Sequence, residues 1–268
     1  MILQNKNAVI FGAGGSLGGA IARAFASAGA NVFLSGKNRN SVQKVADDIR
    51  NAGGKVEVAE VNALDEDHVK SYLDSVVSKA GTVDITFNAI GFQDTQDIPL
   101  TEMELEDFIR PIRIAMETQF LTSTASARIM MQQGSGVILS LTATPGGVGY
   151  PKVGGFGPAC SAIEGFSRNL ASELGTYGIR VINIRSAGSP DSRPFVEALS
   201  NGGDEVKEFI KKLEEDTMLK ELPMMADIAN VATFLASDMA GKITGVTIDV
   251  TCGTTSGLNY KVPSIPFR

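Results

Sequence analysis

Short apolar runs rich in β-branched residues alternate along this chain with longer segments whose apolar residues recur at helical spacing. This alternation is typical of β–α–β units, in which a helix crosses over between two parallel strands. Strands are predicted near Asn7–Gly12, Asn31–Gly36, Lys55–Val61, Val83–Asn88, Gly136–Leu141, Arg180–Arg185 and Val246–Val250. Helices are predicted at Leu17–Ala28, Ser41–Asn51, Asp65–Ala80, Thr101–Gln132, Gly157–Tyr177 and Ala226–Ser237. Because such crossovers are right-handed, we expect an α/β fold in which helices cover both faces of a seven-stranded parallel sheet.

The length suits one such domain, because 268 residues bury a sizeable core and seven strands leave no room for a second domain. We therefore predict a single domain over residues 1–268. The segment 188–223 interrupts the alternation, and it places Val206, Phe209, Ile210 and Leu213 at the spacing of one helix face. An insertion at this edge of the sheet lies over the ligand crevice, so we predict a substrate lid. The alternative is a helix that only extends the core.

Charge and composition exclude several classes of function. The net charge of −6 and the lack of a basic run argue against nucleic acid and membrane surfaces as partners. Two cysteines without a CxxC pair indicate a reducing compartment, and the opening residues resemble no targeting signal, so we expect a cytoplasmic protein. The single histidine, His68, rules out a His-based triad or a His-rich metal site, and no metal is predicted.

The first strand runs directly into a glycine-rich turn that opens an alanine-rich helix: Phe11-Gly12-Ala13-Gly14-Gly15-Ser16-Leu17-Gly18-Gly19. At this junction of a doubly wound, Rossmann-type fold, main-chain amides and the helix N-terminus bind the diphosphate of a dinucleotide. The predicted cofactor-binding residues here are Gly12, Gly14, Gly15, Ser16, Leu17 and Gly18.

The second predicted strand ends in Ser35-Gly36-Lys37-Asn38-Arg39. A carboxylate at this point would accept hydrogen bonds from the adenosine ribose and select NAD. This sequence instead offers the cations of Lys37 and Arg39 to a 2′-phosphate, with Asn38 between them. The pattern favours NADP(H) over NAD(H); the alternative is a solvated basic turn.

In their order and spacing these features resemble the short-chain dehydrogenase/reductase family along nearly the whole chain. The resemblance extends to Asn62-Ala63, to Asn88-Ala89-Ile90-Gly91, to the stretch Ala162–Leu174 and to Ile243-Thr244-Gly245. It implies that Asn62, Ala63, Asn88, Ala89 and Ile90 bind the cofactor. It also implies a homodimer or homotetramer, because the helices around Thr101–Gln132 and Gly157–Tyr177 commonly pair between subunits in this family.

The sequence differs from the family at the positions of the catalytic residues. The family's asparagine, serine, tyrosine and lysine correspond by spacing to Ala115, Ala143, Phe156 and Cys160. Phe156 carries no hydroxyl to donate a proton, and the Cys160 thiol is normally neutral, so it supplies no permanent cation. The predicted substrate pocket comprises Thr142, Ala143, Tyr150, Phe156 and Cys160.

Tyr150 is the one weak candidate for a replacement proton donor. It lies in Gly149-Tyr150-Pro151-Lys152, and a tyrosine near a cation has the right chemistry if its pKa is depressed. The alternative is that Tyr150 is a packed or interface aromatic and Lys152 is solvated.

Two functions follow from these patterns. The first is an NADP(H)-dependent oxidoreductase with an atypical active site, acting on a small and mainly apolar substrate. An activated substrate such as an enone or a quinone takes a solvent proton and tolerates the missing tyrosine. The second is a catalytically inactive NAD(P)-binding regulatory or scaffold protein, including a subunit that pairs with an active relative.

Overall fold

A computed structural model describes residues 1–257 and shows a doubly wound α/β fold of the Rossmann type. The seven strands are β1 Asn7–Phe11, β2 Asn31–Gly36, β3 Lys55–Glu60, β4 Ile85–Asn88, β5 Gly136–Ala143, β6 Ile179–Ser186 and β7 Thr247–Val250. They form one parallel sheet in the order β3-β2-β1-β4-β5-β6-β7. The predicted fold class is confirmed. Residues 258–268, which the single predicted domain includes, lie outside the described residues.

The helices are α1 Ser16–Ser27, α2 Arg39–Asn51, α3 Glu66–Ala80, α4 Leu105–Gln133, α5 Phe156–Leu174, α6 Arg193–Asn201, α7 Gly203–Glu215 and α8 Met225–Ala236. Most boundaries agree with the sequence prediction within two residues, and two differ by more. The long fourth helix begins at Leu105 instead of Thr101, because residues 101–104 form a turn before it. The helix predicted to end at Tyr177 ends at Leu174, and Gly175–Tyr177 continue as a short 3-10 turn.

Alternate residues of each central strand point to opposite faces of the sheet, and each face has its own core. Ala8 and Ile10 of β1 pack with α1, α2 and α8, whereas Val9 and Phe11 pack with α3, α4 and α5. The near-continuous apolar sequence of β1 is therefore explained by burial on both sides.

The strand order determines where the ligand crevice lies in the sheet. At the end of β1, Phe11 pairs with Ser35 of β2 on one side and with Asn88 of β4 on the other. The chain reverses its direction of winding between β1 and β4, so the residues that follow these strand ends surround one crevice.

The segment 188–223 forms two helices, α6 and α7, where we predicted one amphipathic helix. Three of the four predicted face residues, Val206, Ile210 and Leu213, pack in a small cluster of their own. The fourth, Phe209, is 58% exposed, so its assignment to the buried face was wrong. At 100° per residue Phe209 lies at the edge of the face that Val206, Ile210 and Leu213 form, so its side chain remains in solvent.

Within residues 1–257, none of the helices is both long enough and apolar enough to cross a bilayer.

Candidate cofactor cleft and active site

The glycine turn packs tightly between β1, β4 and α1. Gly12 has φ +76°, and a Cβ on it would lie 2.6 Å from the carbonyl oxygen of Ala89. A Cβ on Gly18 would lie 2.5 Å from the carbonyl oxygen of Gly12. Both positions need glycine because the backbone of the turn approaches its neighbours too closely for a side chain.

Helix α1 starts directly after this turn, at Ser16, with Gly15 as its N-cap. No side chain of the described residues caps it, and its first turn contains no acidic residue. The amides at this N-terminus therefore present uncompensated positive partial charge, which is the property that binds phosphate.

The turn forms one wall of a cleft of about 500 Å³. Most of the predicted cofactor residues line it: Gly12, Gly14, Gly15, Lys37, Asn38, Asn62, Ala63, Ala89 and Ile90. A cleft with a glycine cradle at its centre and polar residues at its end fits an extended dinucleotide.

Four predicted residues, Ser16, Leu17, Gly18 and Asn88, do not line the cleft in this structure, and they support its walls instead. Asn88 is buried, and its Nδ2 donates to Oγ1 of Thr122 (2.9 Å) while its Oδ1 accepts from the amide of Ile90 (3.1 Å). Asn88 thereby fixes the end of β4, from which Ala89 and Ile90 form one wall of the cleft.

At the far end of the cleft, Gly36 ends β2, Lys37 and Asn38 follow it, and Ser41 lies opposite Gly14. Asn38 caps α2 by accepting hydrogen bonds from the amides of Asn40 (3.0 Å) and Ser41 (3.3 Å). Among the cleft-lining residues of the described chain, none is an aspartate or a glutamate. Arg39, which we expected to offer a second cation here, is exposed and does not line the cleft.

Sequence reasoning missed several lining residues, including Gln93, Ile114, Thr118 and Arg193. Arg193 is the first residue of α6, and its main-chain amide donates a 3.1 Å hydrogen bond to Oγ of Ser16. No local sequence pattern identifies Arg193 as a cleft residue, because 177 positions in the chain separate it from Ser16. The signal that could have found it is the general position of the predicted lid over the crevice.

Ala115, Ala143, Phe156 and Cys160 come together in one apolar cluster. Phe92, Ile112, Ala159 and Ile163 complete it. The alignment by spacing therefore predicted residues that are neighbours in space, although they come from α4, β5 and α5.

The chemistry of this cluster is that of a hydrophobic core. The rings of Phe92 and Phe156 lie 5.7 Å apart at an angle of 42°. Cys160 is fully buried, and burial raises the pKa of its thiol to about 12, so the thiol stays neutral. Phe195 packs in a separate apolar cluster within residues 187–222.

Thr142 was predicted in the substrate pocket, but it is buried in a polar network behind the cluster. Its Oγ1 donates to Oε1 of Glu164 (3.0 Å) and accepts from Nδ2 of Asn183 (2.7 Å). Glu164 forms a two-point ion pair with Arg185, at 2.6 and 3.0 Å, and Arg185 also contacts Asp249 at 2.9 Å. These bonds satisfy the buried charges and commit Thr142 to a structural role.

Tyr150 is half-buried on the loop before α5. Burial, and then the nearby carboxylate of Asp216, raise the pKa of its phenol. This direction is opposite to the depressed pKa that a proton donor needs, because burial is the larger cause and the charge that acts on the phenol is the anion of Asp216. Lys152 is exposed, and its carbonyl accepts a hydrogen bond from the amide of Asp97 (2.8 Å).

His68 is exposed at the start of α3, with Nδ1 3.7 Å from Oδ2 of Asp65. Within residues 1–257, no group of three or more His, Cys, Asp and Glu side chains is arranged to hold a metal ion.

Comparison with known proteins agrees with this architecture. The model of the enoyl-(acyl carrier protein) reductase family matches residues 12–255. The 7alpha-hydroxysteroid dehydrogenase of Escherichia coli K12 is 30% identical over 257 residues, covering 96% of this chain and 97% of that protein.

Two solved structures illustrate the similarity of fold. An NAD⁺-bound xylitol dehydrogenase superimposes with a TM-score of 0.88 at 25% identity, covering 94% of this chain and all of the other. A gluconate 5-dehydrogenase from Burkholderia cenocepacia, in complex with NADP and tartrate, gives a TM-score of 0.86 at 23% identity, covering 96% and 97%. Taken with the glycine cradle and the strand order, these matches establish that the chain belongs to the short-chain dehydrogenase/reductase family of NAD(P)-binding oxidoreductases.

Proposed function

We propose that this protein is an NADP(H)-dependent oxidoreductase that transfers a hydride to or from a small apolar substrate at an atypical active site. The observation that carries the proposal is the cleft itself. It combines a glycine cradle at the start of α1 with Lys37 at its far end, and the described residues add no carboxylate to its lining.

The cradle supplies the diphosphate site. Amides of the turn and of the first residues of α1 bind the two phosphates, and Gly12 lets the backbone approach them closely. The bound nicotinamide ring supplies the hydride-transfer chemistry, and the task of the protein is to hold and orient that ring.

The preference for the phosphorylated cofactor rests on charge. A 2′-phosphate carries negative charge that the cation of Lys37 attracts. Gly36 stands beside Lys37 in the lining, and a carboxylate there would repel the phosphate and bind the ribose hydroxyls instead.

The substrate and the proton source follow from the apolar cluster around Phe156. Phe156 and Cys160 exclude water from this wall, but neither holds a proton that it can donate near neutral pH. A simple ketone needs a general acid, worth about 10²–10⁴-fold in rate. An electron-poor enone or quinone instead accepts the hydride first and then takes a proton from solvent, so such substrates suit this site.

The test is a fluorescence titration of the protein with NADPH and NADH, followed by turnover assays with ketones, enones and quinones. We expect NADPH to bind more tightly than NADH and an enone or a quinone to be reduced. Absence of binding for both cofactors at millimolar concentration would overturn the proposal.

Binding without turnover across this panel would favour the second candidate, an inactive NAD(P)-binding regulatory or scaffold protein. One observation favours that candidate. The four residues that correspond by spacing to the family's catalytic residues carry no charge, and all four lie in one apolar cluster. The Tyr150→Phe variant separates two versions of the enzyme: loss of turnover would make Tyr150 the donor, and unchanged turnover would leave water as the source.

We also propose a cytoplasmic homodimer or homotetramer that pairs through α4 and α5. Phe120 of α4 is 52% exposed, and its ring lies 6.4 Å from that of Phe166 on α5, which gives these helices an apolar outer surface. Light scattering on the purified protein measures the assembly, and Phe120→Glu is expected to dissociate it.

A further inference from the structure

Arg193 connects the predicted lid to the cleft. It begins α6 and also lines the cleft, beside the glycine turn. Its main-chain amide donates to Oγ of Ser16, the first residue of α1, at 3.1 Å. The first residue of α6 therefore lies beside the point where the diphosphate of the dinucleotide is proposed to bind.

The charge of Arg193 has only a weak partner among the described residues. Its Nε lies 4.0 Å from Oε1 of Glu197, at the limit of an ion pair, and the two side chains are 66% and 65% exposed. Such a solvated pair contributes little, because water screens both charges. The guanidinium is thus able to leave Glu197 for a doubly charged diphosphate, to which it can donate two parallel hydrogen bonds.

Helices α6 and α7 are packed against each other by apolar residues of their own segment. The apolar residues that hold α6 against α7, including Phe195, Leu199 and Ile210, belong to a cluster confined to residues 187–222. This cluster is separate from the two cores that cover the faces of the sheet. A contact at the beginning of α6 therefore acts on the whole pair of helices.

We propose that the guanidinium of Arg193 binds the diphosphate of the dinucleotide and thereby couples cofactor binding to the position of the lid. The inference rests on the proposed cofactor function and adds a residue and a consequence to it. Arg193 holds the phosphates from the lid side, opposite the amides of α1, so the lid settles over the substrate side only when the cleft is occupied.

The experiment compares the wild-type chain with Arg193→Gln, Arg193→Lys and Lys211→Gln. Lys211 is an exposed cation on α7 outside the cleft lining, so Lys211→Gln is matched for the loss of one lid charge. The NADPH dissociation constant is measured by fluorescence titration. Hydrogen exchange of residues 193–215 is measured without cofactor and with each protein saturated with NADPH.

We expect Arg193→Gln to raise the dissociation constant by about tenfold, because a charge-assisted hydrogen bond to phosphate is lost. Arg193→Lys keeps the positive charge but cannot donate two parallel hydrogen bonds. Its dissociation constant should therefore lie between those of the wild type and Arg193→Gln. Lys211→Gln should bind like the wild type. At saturation, NADPH should slow exchange of residues 193–215 in the wild type and leave it nearly unchanged in Arg193→Gln.

Equal dissociation constants for the wild type and Arg193→Gln would overturn the role of Arg193 in binding. Equal protection of residues 193–215 at saturation would overturn the coupling. Failure of the wild type itself to bind NADPH is a different result, because it refutes the proposed function before any variant is compared.

Discussion

The ring of Phe156 lies 5.7 Å from the ring of Phe92, tilted by 42°. By the spacing of the family resemblance, we expect Phe156 at the position of the family's proton-donating tyrosine. The two rings form an apolar surface at this position, without a side chain that can donate a proton. The proposed substrate must therefore be reducible without a general acid from the protein.

We predict that Phe156→Tyr combined with Ala143→Ser speeds ketone reduction by about tenfold or more, because the pair restores an acid and a hydroxyl that steadies the carbonyl oxygen. Steady-state NADPH oxidation measures the effect. Phe166→Tyr is the matched control, since Phe166 lies on the same helix and contacts Phe120 instead. An equal gain in the control, or no gain in the double variant, would contradict the assignment of this wall to the active site.

We predict that Lys37→Gln weakens NADPH binding by about tenfold and leaves NADH binding unchanged, because only NADPH carries the 2′-phosphate. Titration of both cofactors at low and moderate salt measures the affinities. The difference in NADPH affinity between the wild type and Lys37→Gln should become smaller as the salt concentration rises. Lys44→Gln, an exposed lysine of α2 outside the cleft lining, serves as the control. A parallel loss of NADH affinity would instead mean that Lys37 shapes the loop.

We predict that Gly12→Ala destabilises the fold more than Gly53→Ala does. Both glycines have positive φ, +76° and +80°, so each alanine brings a strain of about 1–2 kcal/mol. Only Gly12 adds a clash with Ala89, since no described atom lies within 4 Å of a Cβ on Gly53. Urea unfolding measures both variants, and equal losses would show that the turn relaxes freely.

We predict that stability falls in alkaline solution partly through Cys160. Burial raises the pKa of this thiol from 9.0 to about 12 in the folded protein, so its contribution is complete below pH 9 and is lost as the pH rises towards 12. Between pH 8 and 10, the free energy of unfolding of the wild type should drop about 1 kcal/mol further than that of Cys160→Ala. Parallel curves for the two proteins, measured by urea unfolding, would show that the thiol ionises normally in the native state.

The sequence alone determined the fold class and the glycine turn that lines the candidate cofactor cleft. The alternation of apolar periods predicted all seven strands, because short β-branched apolar runs between segments of helical period are a local signal. The glycines of the turn and Lys37 were also found locally, since backbone geometry and charge at a strand end depend on adjacent residues.

Only the tertiary structure decided which distant residues meet. It placed Arg193 against Ser16, confined Thr142 to the network of Glu164, and brought Asp216 close enough to raise the pKa of Tyr150. The physical reason is that exposure, electrostatic surroundings and hydrogen-bond partners arise from packing between elements far apart in the chain. A local pattern predicts where an element begins and which face is apolar, but it carries no information about what covers that face.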